Sequence, residues 1–174
     1  MKIAIIGAGI SAAAAVSVLK QHPCQISVFE KSRGPGGRMS SKRALAGSLD
    51  LGAQYFTARD TDFLAQVAAW CDQGLVQQWP MQPWAFEQGV LSRSDDQQQR
   101  YVGTSTMHQM LGPAFANIET HYQCKINELS FITSNVSSHS QGQWQLCSEQ
   151  GECFGGFDAL LLTCPPEQAR QLLE

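Results

Sequence analysis

Gly7-Ala8-Gly9-Ile10-Ser11-Ala12 is the segment of this sequence best suited to hold a charged ligand. Gly7 permits a tight turn, Gly9 lets a pyrophosphate come up against bare backbone, and Ala12 keeps the following helix close to the preceding strand. Ile10 precedes the helix that Ser11 opens, whose free first N–H groups and positive dipole end attract an anion. Taken alone the hexamer is a weak signal, since Gly-rich turns occur in other α/β proteins. Glu30 strengthens it. It ends the next expected strand, about 20 residues on, where a carboxylate can accept hydrogen bonds from ribose hydroxyls, and Lys31 stands beside it.

Two further segments extend the pattern. Arg33-Gly34-Pro35-Gly36-Gly37-Arg38 is a second Gly-rich loop. A domain that binds only a nicotinamide dinucleotide has no need of it, whereas a longer FAD can lie beside the backbone of Gly36 and Gly37. Arg38 offers a planar guanidinium for a phosphate or the flavin edge. The third segment, Asp50-Leu51-Gly52-Ala53-Gln54-Tyr55-Phe56, has one amide and two aromatics suited to packing next to a flavin ring. Read alone, it is a strand end with core aromatics.

The elements that must position these residues are legible nearby. Lys2–Ile6 is a β-branched apolar run ending in Gly7, as a buried parallel strand would. Ser11–Gln21 reads as an Ala-rich helix and Gln25–Glu30 as a second strand, giving βαβ and the start of a doubly wound sheet. Thr61–Gln73 has helical apolar spacing, and Leu75–Arg93 reads as an excursion of small strands. Thr104–Phe115 reads as a helix capped by Thr104. Ile118–Ile132, Trp144–Ser148 and Glu152–Phe154 read as antiparallel strands, with Ser134–Gly142 a polar turn region. Asp158–Thr163 reads as another parallel strand, and Pro165-Pro166 opens a last helix through Leu173. The expected fold class is α/β, a Rossmann-like FAD/NAD(P)-binding domain with small antiparallel strands added. The expected organisation is a βαβ core with cofactor-contacting loops over 1–75, a partial substrate-domain excursion over 76–103, and a return to the first domain over 104–174.

Composition narrows the function classes. The 174 residues are 43% hydrophobic and carry a net charge of -3. This suits a globular protein and argues against a phosphate-tracking nucleic-acid binder. No apolar run is long enough to span a membrane, and the apolar N-terminus is explained by strand and helix rather than a signal peptide. The six cysteines form no CxxC pair and have no histidine at zinc-ligand spacing. They are expected to be reduced, mostly buried thiols in a cytoplasmic protein, with no metal bound. His22, His108, His121 and His139 are scattered, and no Ser/His/Asp arrangement shows in the spacing.

The three motifs taken in order resemble the flavin-containing amine oxidase superfamily, and most of all its renalase-like branch. Arg100-Tyr101-Val102-Gly103-Thr104 with Met107, and Phe157–Thr163 with Pro165, are also similar to that family, so the resemblance spans nearly the whole chain. It implies an FAD cofactor, hydride abstraction from a small reduced substrate such as a dihydropyridine nucleotide or an amine, and electrons passed to O₂. It matches Gly7, Gly9, Ser11 and Ala12 to the dinucleotide fingerprint, Glu30 to the ribose ligand, and Arg38 to the arginine after the paired glycines. Gln54 and Tyr55 match positions beside the flavin, and Lys125-Ile126 matches a strand whose backbone touches adenine. Members of the family are much longer, and the substrate-facing residues are expected in the part with no counterpart here. No catalytic residue is therefore assigned. A nucleotide-binding module without turnover is the alternative. An NAD-only reductase would leave Gly36, Gly37, Arg38, Gln54 and Tyr55 unexplained.

Overall fold

The computed structural model describes residues 1–45, 47–133 and 142–174. Along the first part of the chain run β1 (Lys2–Ile6), α1 (Ile10–Leu19), β2 (Gln25–Glu30), β3 (Ser41–Ala44), β4 (Gly47–Asp50) and α2 (Thr61–Asp72). Then come β5 (Val76–Gln78), β6 (Trp84–Glu87), β7 (Val90–Arg93), β8 (Tyr101–Gly103), α3 (Gly112–Phe115) and β9 (Glu119–Tyr122). The chain closes with β10 (Ile126–Thr133), β11 (Gly142–Ser148), β12 (Cys153–Phe157), β13 (Ala159–Leu162) and α4 (Pro166–Leu173). Short 3-10 turns occupy Gly37–Met39 and Met107–Leu111.

These elements make two compact units, Met1–Arg38 with Leu111–Glu174, and Met39–Met110. The units differ in extent from the division expected at 76–103. In the second unit β5 pairs with β8 and Phe56 bridges to Tyr101, so the hairpin and helix that precede residue 76 fold with the excursion.

The first unit is built on a parallel sheet in the order β13-β1-β2-β9. Ala4 and Ile6 of β1 and Phe29 of β2 face a core with Cys124, Ile126, Leu146 and Phe157, the last three from the antiparallel sheet β10-β11-β12. Strand alternation turns Ile3, Ile5 and Val28 to the opposite face, where the β1-α1-β2 crossover carries its helix. The Ala12 to Ala15 run gives α1 high helix propensity, and Ala12, Ala13 and Val16 supply its buried side. Pro23 follows the helix and cannot extend it. Ile5, Val28 and Phe29 are each at most 1% exposed, and burial of such a side chain contributes about 1.5–3 kcal/mol.

In the second unit, Asp60 caps α2 by accepting from the N–H groups of Asp62 and Phe63. Phe63 and Trp70, one face of that helix, close an aromatic cluster with Phe56 and Tyr101.

The strand, helix, strand opening, α2, β13 and α4 stand where the sequence puts them. Four expectations are corrected. Thr104–Phe115 is not one helix: it is a 3-10 turn followed by the short α3, because Pro113 lacks an N–H and forces a new start. Thr104 caps nothing, and its own N–H donates to the Leu75 carbonyl. Ile118–Ile132 is two strands rather than one antiparallel strand. Glu119–Tyr122 joins the parallel sheet beside β2, and the chain breaks at Gln123, whose φ is 56°. The cysteines are not all reduced thiols, since Cys147 and Cys153, opposed across β11 and β12, form a disulfide. Nor are the free ones mostly buried: Cys124 is, while Cys24, Cys71 and Cys164 are half-buried. The turn region expected at Ser134–Gly142, with His139, lies outside the described residues apart from Gly142.

Candidate dinucleotide site

The C-terminal ends of β1, β2 and β13 lie side by side, and the first glycine loop is built across them. Gly7 takes φ +103°, and a Cβ there would stand 2.8 Å from Thr163 Oγ1, so both backbone and space require glycine. The polar groups of this loop are matched by protein. The Gly7 N–H donates to the Phe29 carbonyl at 2.8 Å, and the Ala8 N–H donates to Glu30 Oε2 at 2.8 Å. The Ala8 carbonyl accepts the Gly36 N–H at 3.0 Å. This last bond seats the second glycine loop on the first, and a Cβ on Gly37 would stand 3.5 Å from Gly9 Cα.

Gly9 is different in kind. A Cβ there would meet nothing within 4 Å, so its freedom is not spent on packing within the protein. Gly9 is also the N-cap of α1, and no side chain caps the helix. The first N–H groups of a helix have no intrahelical partner, and here they open onto bare backbone. The arrangement fits a pyrophosphate: uncapped N–H donors, a helix dipole, and a glycine that leaves room for the phosphate oxygens.

Glu30 is 6% exposed, and its second oxygen accepts the Ser32 N–H at 2.8 Å. The expected ribose ligand is therefore also the clamp between the two loops, with lone pairs left for a hydroxyl donor. Residues 123–126 run past it: the Gln123 N–H donates to the Ser32 carbonyl and the Cys124 N–H to the Glu30 carbonyl. Ile126 opens β10, 5% exposed, next to that crossing. Tyr122 is in register with Glu30, and burial first, then the Glu30 charge, pushes its phenol above the usual range.

The structure thus brings together Gly7, Gly9, Ile10, Ser11, Ala12, Glu30, Gly36 and Gly37 around one ledge, whereas the Ile126 side chain packs in the core with Phe29 and Leu146. Lys31 points elsewhere, its Nζ donating to Gln168 of α4. Arg38 follows Gly37 at φ +54°, and its side chain is exposed with no hydrogen bond or ion pair among the described residues. Gln54 and Tyr55 belong to the second unit and are exposed there. Tyr55 lies against Trp79 and under the guanidinium of Arg100, which also pairs with Asp96.

Sequence spacing missed two groups. Thr163 sits against Gly7, and only the pairing of β13 with β1 reveals it. In the second unit Asp50, Ser41 and His108 form a chain, Ser41 donating to Asp50 and lying 2.9 Å from His108 Nδ1. The order is wrong for nucleophilic catalysis, where the imidazole must stand between hydroxyl and carboxylate to take the hydroxyl proton. Near Gly7, burial pushes the Cys164 thiol up, away from a reactive thiolate. Among the described residues no group of three or more His, Cys, Asp or Glu could hold a metal, and no helix is long and apolar enough to cross a membrane.

A family model for an NAD(P)-binding Rossmann-like domain matches residues 5–70, the stretch that holds both glycine loops and Glu30. The fold is Rossmann-like. Solved structures share it across 99% of this chain: putrescine oxidase bound to putrescine at TM-score 0.73 and 11% identity, and a candidate protoporphyrinogen oxidase from Exiguobacterium sp. at 0.71 and 14%. A Pyrococcus furiosus protein matches over the same share at TM-score 0.66 and 11% identity. This chain covers 60%, 61% and 61% of those three structures respectively.

Proposed function

We propose that this chain is the FAD-binding part of an oxidoreductase related to the flavin-containing amine oxidases, with a renalase-like protein the nearest reading. The observation that carries the proposal is the seating of the second glycine loop on the first, the Gly36 N–H on the Ala8 carbonyl at 3.0 Å. A pyrophosphate at Gly9 needs only the first loop. The second adds a wall of bare backbone at Gly37 and an unpaired guanidinium at Arg38, which suits the longer reach of FAD. The oxidase names carried by two of the solved structures support the same choice.

On this reading Gly7, Gly9, Ile10, Ser11 and Ala12 hold the pyrophosphate, Glu30 the ribose, and Gly36, Gly37 and Arg38 the flavin-side phosphate. Ile126 borders the adenine. Bound FAD supplies a two-electron acceptor for hydride from a reduced nicotinamide-type nucleotide or an amine, with electrons passed on to O₂. The protein's share is to orient the cofactor and exclude water. A nucleotide-binding module without turnover is the second reading.

Titrating the protein with FAD while following flavin fluorescence tests the proposal. Saturable quenching at one flavin per chain supports it, and bleaching by an anaerobic reductant with recolouring in air separates turnover from mere binding. Binding of NADH with no affinity for FAD would overturn the FAD assignment.

A further inference from the structure

The peptide joining Gly7 to Ala8 is held at both ends. Its N–H donates to Glu30 Oε2 at 2.8 Å, and its carbonyl lies 3.3 Å from Thr163 Oγ1. The same hydroxyl stands 2.9 Å from the Ile6 carbonyl, which also accepts the Thr163 N–H at 2.9 Å. One hydroxyl proton therefore serves the last carbonyl of β1, with the first carbonyl of the loop within reach. Thr163 directly follows β13, whose residues pair in register with β1 as far as Ile6 and Leu162, so the sheet itself delivers the hydroxyl to this place.

Gly7 cannot fix the direction of that peptide by its own sterics, because glycine passes freely between regions of positive and negative φ. Something else must hold it, and the two groups that do are Glu30 and Thr163. We propose that Thr163 is a positioning residue for the pyrophosphate. Its hydroxyl, donated to the Ile6 carbonyl at 2.9 Å with the Gly7 carbonyl 3.3 Å away, ties the start of the loop to the end of β13, so that the backbone at Gly9 and the first N–H groups of α1 are already aimed before a ligand arrives. The inference rests on the FAD reading above.

Thr163→Val removes the hydroxyl and keeps the shape, while Thr163→Ser keeps the hydroxyl and removes the methyl. The probes are FAD, followed by fluorescence quenching, and ADP, followed by calorimetry, since the two share the pyrophosphate. Releasing the loop can cost in affinity up to what one hydrogen bond of ordinary worth supplies, about tenfold. Thr163→Val should weaken FAD and ADP alike by about that factor, and Thr163→Ser should bind both within about twofold of the parent. Thermal melting of each variant separates binding from folding. Should Thr163→Val fail to fold, Thr163→Ala takes its place: a loss of affinity there with retention in Thr163→Ser would uphold the role, and parental affinity would overturn it. Parental affinity in Thr163→Val, or equal losses in both variants, would show that the methyl or nothing at all matters here. A parent that binds neither FAD nor ADP would instead overturn the reading on which the inference rests.

Discussion

In the first unit Ile5, Val28, Phe29, Leu146 and Phe157 are at most 2% exposed, while in the second Trp84, Phe86, Val90 and Leu91 are at least 60% exposed. Both units contain strands rich in large apolar residues, so composition does not separate them. Partners do. In the first unit β1 and β2 are central in their sheet, so their alternate side chains are buried on both faces. β6 and β7 pair only with each other, and Trp84, Phe86 and Leu91 share a face with Arg93. A lone two-stranded ribbon cannot bury its own face. The first unit can therefore hold a glycine loop still, because the loop hangs from the ends of buried strands.

The comparison can be broken where it is strongest, at Glu30. Two backbone N–H groups end on its carboxylate inside the first unit. At about 1.5–3 kcal/mol for each hydrogen bond to a charged group, Glu30→Ala should cost about 3–6 kcal/mol of stability and FAD binding with it. Urea unfolding checks the first and flavin titration the second. A variant of parental stability would mean that these loops are not clamped.

The Cys147–Cys153 bond offers a smaller test. It closes a loop with a sequence separation of 6 across β11 and β12, and chain entropy assigns so short a loop about 2 kcal/mol. Reduction with a dithiol, or Cys153→Ser, should lower the unfolding free energy of the first unit by that amount, read as a lower denaturation midpoint. An unchanged midpoint under reducing conditions would leave β10, β11 and β12 held by packing alone.

The smallest effect is expected at Phe86. With its ring 71% exposed, Phe86→Ser should change stability by no more than about 0.5 kcal/mol. A larger loss, measured by the same unfolding curves, would mean that the hairpin has a partner in solution and that the contrast between the units is overstated.

Much of the first unit was legible because its signals are local. Lys2–Ile6, the Ala-rich helix, Gln25–Glu30 and the Gly7 to Ala12 fingerprint each declare themselves within a few residues. What stayed hidden depends on distant pairing. Glu119–Tyr122 has no feature that marks it as parallel to β2 rather than antiparallel to its own neighbours. Cys147 and Cys153 form no CxxC spacing and meet only once β11 and β12 are in register. Thr163 looks like the last residue of an apolar strand until β13 is laid beside β1. The charge of Glu30 points to a ribose, while its service to two backbone N–H groups shows only with the loops in place.

The claim that carries the account is that the loop around Gly7 and Ala8 is satisfied by protein while Gly9 is left for a ligand. Gly9→Val tests it most directly, with Gly9→Ala beside it. A Cβ at Gly9 meets nothing within 4 Å, so both variants should fold and melt with the parent. If a pyrophosphate rests on that backbone, FAD affinity should fall slightly for the alanine variant and be lost for the valine variant. Flavin retained per chain after gel filtration, alongside thermal melting, reads both quantities at once. A folded Gly9→Val protein that retains as much FAD as the parent would contradict the account.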